Sequence, residues 1–91
     1  MKIKLTNHAK IRIRERAGTS EYSSFIKDEL SLCRRNRYKN TLRIITKSDY
    51  YFIFEISNNY EFKLMTVLDH PHYNTDDRIF GETKYDNVEI I

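Results

Sequence analysis

The sequence predicts an α+β domain in which two N-terminal helices pack on a three- or four-stranded antiparallel sheet. Three observations predict it. Residues 7–34 carry apolar side chains at helical spacing between cap and stop signals. From Thr41 the pattern switches to short, near-continuous apolar runs rich in β-branched and aromatic residues. Paired polar residues, Ser48-Asp49 and Asn58-Asn59, then separate those runs as hairpin turns do. With 91 residues the chain makes one domain, 1–91, able to bury about 60–65% of its unfolded surface. Seven Tyr and five Phe against two Gly and one Pro describe a core built on aromatics and exclude a low-complexity tail.

The first residues, Met1 to Leu5, alternate apolar side chains with Lys and suit a short edge strand or an ordered lead-in. Thr6 or Asn7 can then cap a helix over 7–17, and Gly18 can take the left-handed turn that ends it. At roughly 100° per residue, His8, Arg12 and Arg16 lie within about 80° of one another on one edge of this helix. Ala9, Ile13 and Ala17 lie beside them, so the helix can seat on a core while its cationic edge looks into a groove. Thr19-Ser20-Glu21 opens a second helix over 20–34, with Tyr22, Phe25, Ile26, Leu30 and Cys33 as its buried arc. Glu29 falls inside that arc, and a buried carboxylate calls for a partner, for which an arginine is the expectation.

Arg34-Arg35-Asn36-Arg37-Tyr38-Lys39-Asn40 reads as a basic loop. Arg34, Arg35, Arg37 and Lys39 can contact phosphates there while Tyr38 stacks on a base. The strands follow as 42–46, 50–56 and 60–68, an antiparallel meander whose second member is apolar almost throughout and belongs at its centre. With two-residue turns Glu55 would share a face with Leu42 and Ile44, which requires either a bulge or a cation beside the core. The segment from Asp69 is acidic and polar until Val88-Glu-Ile-Ile91, which suits a fourth strand at the sheet edge.

Charge is strongly polarised. Residues 1–47 hold thirteen Lys/Arg against four Asp/Glu, and 48–91 hold three against nine, within a net charge of +3. A basic face of this kind favours RNA or another polyanion, or an acidic protein partner. No apolar run approaches the roughly 18–20 residues that cross a bilayer, and no signal-peptide core is present, so a cytoplasmic protein without membrane contact is expected. Cys33 is the only cysteine, which rules out an internal disulfide and reads as a small buried hydrophobe.

Directly after the third strand come His70-Pro71-His72-Tyr73, two imidazoles and a phenol at the exit of a sheet, where functional side chains concentrate. Facing His8 with Arg12 and Arg16 beside it, this loop could cleave RNA without metal. One neutral imidazole takes the 2′-OH proton, a charged imidazole or a phenol gives one to the departing 5′-oxygen, and the guanidiniums hold the phosphate. Three histidines without an ordered set of carboxylates argue against a metal centre, and no cofactor is expected.

The opening His8-Ala9-x-x-Arg12-x-x-x-Arg16, with its Ser/Glu-started second helix, resembles that of small bacterial and phage proteins akin to the RelE/ParE-like toxins. Thr66-Val-Leu-Asp-His70 leading to Tyr73 is similar to the strand and loop on which those toxins place functional groups. The resemblance implies the RelE-like arrangement of two helices against a twisted antiparallel sheet, endoribonuclease activity and a possible antitoxin partner. The acidic segment from Asp76 to Glu89 departs from the basic C-terminal segment often seen in ribosome-dependent members. The functional expectation is therefore a toxin-like, metal-independent endoribonuclease with His8, Arg12, Arg16, His70, His72 and Tyr73 as its site. The alternative is a non-catalytic basic module that binds nucleic acid or blocks an acidic host protein, as a phage anti-defence inhibitor would.

Overall fold

The computed structural model describes residues 1–38, 40–57, 61–69, 80–85 and 87–91, with 35–38 and 80–82 described through their backbone. Strand β1 (Lys2–Leu5) leads into helix α1 (Asn7–Ala17) and helix α2 (Tyr22–Glu29). Six further strands follow: β2 (Cys33–Tyr38), β3 (Thr41–Ile45), β4 (Tyr51–Ile56), β5 (Glu61–Leu68), β6 (Phe80–Thr83) and β7 (Glu89–Ile90). Among the described residues they form one mixed sheet in the order β6-β2-β3-β4-β5-β1-β7, curved as a half-barrel.

Both ends of α1 are fixed by the chemistry its sequence provides. Thr6 accepts the Ala9 amide at 3.1 Å as a helix cap, and its hydroxyl also donates to the Leu64 carbonyl at 2.7 Å, tying the cap to β5. Gly18 sits at φ 68° and returns its amide to the Arg14 carbonyl, a conformation that a β-carbon would strain. Ala9 and Ile13 are fully buried on the sheet beside Ile26 of α2 and Leu30, which follows that helix.

The sheet face that receives them is set by register. Leu5 pairs with Leu64, Leu64 with Phe54 and Phe54 with Leu42, so one apolar row runs across four strands, and the Ile3–Phe62 and Phe52–Ile44 pairs extend the same face on either side of it. Phe52 and Phe54 are completely buried, and each contributes on the order of 1.5–3 kcal/mol by leaving water. Their rings meet edge to face at 6.2 Å, and Phe54 meets Phe62 in the same way at 6.3 Å.

The antiparallel meander β3-β4-β5 with β4 inside it agrees with the sequence, and so does a strand near the chain's last residues at the sheet edge. The small antiparallel RelE-like sheet does not. Among the described residues the sheet has seven strands and is mixed, because β1 runs parallel to both β5 and β7. The edge position expected for a strand in Met1–Leu5 is corrected too: β1 lies between β5 and β7 and Ile3 is fully buried, because alternation marks a strand without naming its neighbours.

The expected basic loop at 34–40 is also corrected. Its backbone from Cys33 to Tyr38 is a strand, paired with β3 and with β6. A ladder needs only backbone donors and acceptors, so a strand of arginines carries no apolar period to reveal it. α2 ends at Glu29, short of the expected 34. Ser31 turns its amide and hydroxyl onto the Asp28 carbonyl at 3.2 and 2.6 Å, and Leu30 closes the helix.

Glu55 is exposed and stands opposite Thr41 and Lys63. The β3–β4 connection is longer than two residues, and an irregularity between Ile53 and Phe54 absorbs the extra residue of β5. The Asn58-Asn59 turn lies outside the described residues.

Candidate nucleic-acid interface

The helical spacing of His8, Arg12 and Arg16 does bring them into one row, but each side chain has a different local anchor. His8 is exposed, and its Nε2 accepts from Arg12 Nε at 3.4 Å across one helical turn. Arg12 also donates through Nη1 to Glu15 at 2.7 Å, forming an i,i+3 ion pair whose side chains are 34% and 53% exposed. Water screens such a pair, which contributes on the order of 0.5 kcal/mol or less.

Arg16 is held more firmly. Its guanidinium donates to the carbonyl of Val67, near the end of β5, and its own backbone carbonyl accepts from the Tyr50 hydroxyl at 3.4 Å. Four more donors of the Arg16 fork stay on the guanidinium, since arginine carries five. The last turn of α1 is thus pinned where β5 runs out through Leu68 and Asp69, and the next residue in sequence is His70.

Tyr50 enters this corner from the β3–β4 connection. Its ring stands edge-on against Phe25 of α2 at 5.3 Å. Burial raises the Tyr50 phenol above its usual 10.0, and the nearby carboxylates of Glu29 and then Asp69 raise it further, so the hydroxyl stays a donor.

Beneath it, Glu29 organises the connection itself. This carboxylate is 4% exposed and accepts from the Thr46 hydroxyl at 2.8 Å, the Ser48 amide at 2.9 Å and the Ser48 hydroxyl at 2.8 Å. Among the described residues its partners are hydroxyls and an amide, not the expected arginine. The turn offers three short donors converging on one carboxylate, which satisfies the buried charge without a guanidinium. Thr46 in turn receives the Tyr50 amide on the same oxygen at 3.1 Å. Lys47 adds an exposed ion pair with Asp28 at 3.3 Å.

Of the other sequence candidates, Arg34 is exposed on β2. Arg35, Arg37 and Tyr38 are placed in β2 through their backbone alone, while Lys39, His70, His72 and Tyr73 lie outside the described residues. Among the described residues no group of three His, Cys, Asp or Glu side chains is disposed to hold a metal ion. No described helix is long and apolar enough to cross a membrane.

Sequence reasoning missed Tyr50 and Thr46 at this corner. Tyr50 was read as the first residue of the apolar strand 50–56, which in fact begins at Tyr51, and Thr46 as a strand-end residue. Searches against protein-family models, curated proteins and solved structures found no match.

Proposed function

We propose that this chain acts on RNA in the cytoplasm as a metal-independent endoribonuclease. The observation that carries the reading is the Arg16 tether to Val67, which supports a cationic helix edge lying at the strand end that continues into His70-Pro71-His72-Tyr73. Arg12 and the free donors of Arg16 hold the scissile phosphate. A neutral imidazole, that of His8, His70 or His72, removes the ribose 2′-OH proton as the O2′–P bond forms. The P–O5′ bond then breaks, and the departing O5′ takes a proton from a second imidazole or from Tyr73. The products are a 2′,3′-cyclic phosphate and a 5′-hydroxyl.

The test is incubation with mixed RNA in excess chelator, beside the His8→Ala variant. Cleavage should persist, leave the cyclic end and follow a bell-shaped pH profile. His8→Ala should lose about 10²–10⁴-fold in rate, the usual share of one acid or base. Intact RNA with the wild-type chain would defeat the nuclease, and cleavage abolished by chelator would defeat its metal-independent mechanism.

A second reading has its own support. Arg12 already pairs with Glu15 and Arg16 with a backbone carbonyl, so the row serves as a fixed surface as well as a source of charge. On that reading the chain binds a polyanion, or an acidic protein such as an antitoxin or host factor, without cleaving. Binding of RNA that falls steeply with salt, with no product in any condition, would select it.

A further inference from the structure

We propose that Glu29 is a positioning residue for the RNA-facing edge of α1, acting through Thr46 and Tyr50. The proposal rests on the RNA reading above for the task of that edge, while the relay stands on hydrogen bonds alone. Glu29 Oε1 accepts from Thr46 Oγ1 at 2.8 Å, and that same oxygen accepts the Tyr50 amide at 3.1 Å. Thr46 also donates its own amide to the Tyr50 carbonyl at 2.8 Å, so Thr46 grips Tyr50 from two sides. Tyr50 then spans to α1, where its hydroxyl donates to the Arg16 carbonyl, and Arg16 reaches on to Val67.

Each link has a defined direction of donation, and the carboxylate fixes it. An ionised Glu29 only accepts, so the Thr46 proton must point to it, which turns a lone pair of Thr46 toward the Tyr50 amide. Phe25 holds the Tyr50 ring from α2, the helix that also carries Glu29. α2 therefore sets the Tyr50 position twice, once by the relay and once by ring packing. Nothing else in the proposed chemistry uses this buried carboxylate.

Ser48 provides an internal control. Its hydroxyl bonds Glu29 at the same 2.8 Å as that of Thr46, yet it does not bond Tyr50. A merely structural Glu29 would feel the loss of either hydroxyl alike. Thr46→Val removes the bridging oxygen while conserving shape, Thr46→Ser restores it, and Ser48→Ala deletes the bond that lies off the relay.

Two readouts are taken on the folded full chain: the NMR signal of the Arg16 Nε–H group, and affinity for a single-stranded RNA oligonucleotide at low salt. Thr46→Val should shift the Arg16 signal and weaken RNA binding about five-fold, within the range of mutations that disturb a coupled contact path. Thr46→Ser should return both toward wild type, and Ser48→Ala should leave both in place despite a lower melting temperature. An unmoved Arg16 signal in Thr46→Val, or equal effects of Thr46→Val and Ser48→Ala, overturns the relay. Should the wild-type chain bind no RNA, the functional reading falls by itself, and the Arg16 signal still decides whether Glu29 positions α1. Glu29→Gln should leave that signal near wild type, and Glu29→Ala should shift it as Thr46→Val does; an unmoved signal in Glu29→Ala overturns the relay.

Discussion

Glu29 and Arg12 are both charged side chains on short helices, and their surroundings give the two charges opposite roles. Glu29 is nine-tenths buried or more, with three donors at 2.8–2.9 Å. Arg12 stands at the surface, with one carboxylate and one imidazole of its own helix. Around a buried charge, any partner removed leaves a group that water cannot reach, so the interaction is costly to break. At the surface, water replaces the partner, and the charge stays available for something else. The α2 corner is therefore built for rigidity, and the α1 edge for exchange.

The largest expected effect tests the first half of that contrast. Glu29→Ala should destabilise the fold by about 2–4 kcal/mol, since it deletes a buried, charge-assisted acceptor and orphans the Thr46 hydroxyl. Glu29→Gln should cost markedly less, because its amide oxygen can still accept from Thr46 and the Ser48 amide. Urea unfolding of both variants checks this. Equal losses would mean that the negative charge itself, rather than the pattern of acceptors, holds the turn.

A smaller effect concerns pH. Folded Tyr50 binds its proton more tightly than the unfolded chain does, through burial first, then Glu29 and Asp69. Its contribution to stability is present in full below the unfolded value of 10.0 and is lost as pH rises through the higher folded value. Wild type should therefore lose stability relative to Tyr50→Phe on going above that pH. Phenolate absorbance should show the Tyr50 transition moving downward in Glu29→Gln. A transition that ignores Glu29 would separate Tyr50 from the α2 corner.

The contrast also explains what was legible in the sequence. Thr6, Gly18 and the His8-Arg12-Arg16 row could be found because caps and helix edges are local, three to eleven residues long. The meander around β4 was legible because Phe52 and Phe54 announce burial. β2 was not, because arginines in a ladder show no apolar period, and neither was the parallel place of β1, which depends on a pairing with β5. At the candidate site the decisive bonds link positions 34 and 51 residues apart, Tyr50 with Arg16 and Arg16 with Val67. Glu29 stood out as a misplaced carboxylate, yet its partners came from a turn whose geometry only the folded sheet defines.

The smallest effect on stability tests the second half of the contrast. Glu15→Gln removes the partner of the Arg12 guanidinium without changing helix length or shape, and the pair is half open to water. Unfolding should shift by no more than about 0.5 kcal/mol. RNA binding should respond in the other direction. With Glu15 neutral, Arg12 no longer divides its donors between a carboxylate and a phosphate, and the nearby negative charge that opposes the RNA backbone is gone. Affinity at low salt should rise, and the dependence of log affinity on log salt should steepen by about one phosphate contact. A variant that gains affinity without any change in slope would place Arg12 outside the contact, leaving Glu15 as a distant repulsion only. A variant that loses affinity would show that the ion pair holds Arg12 in its working orientation, and the α1 edge would then be as structurally committed as the buried corner.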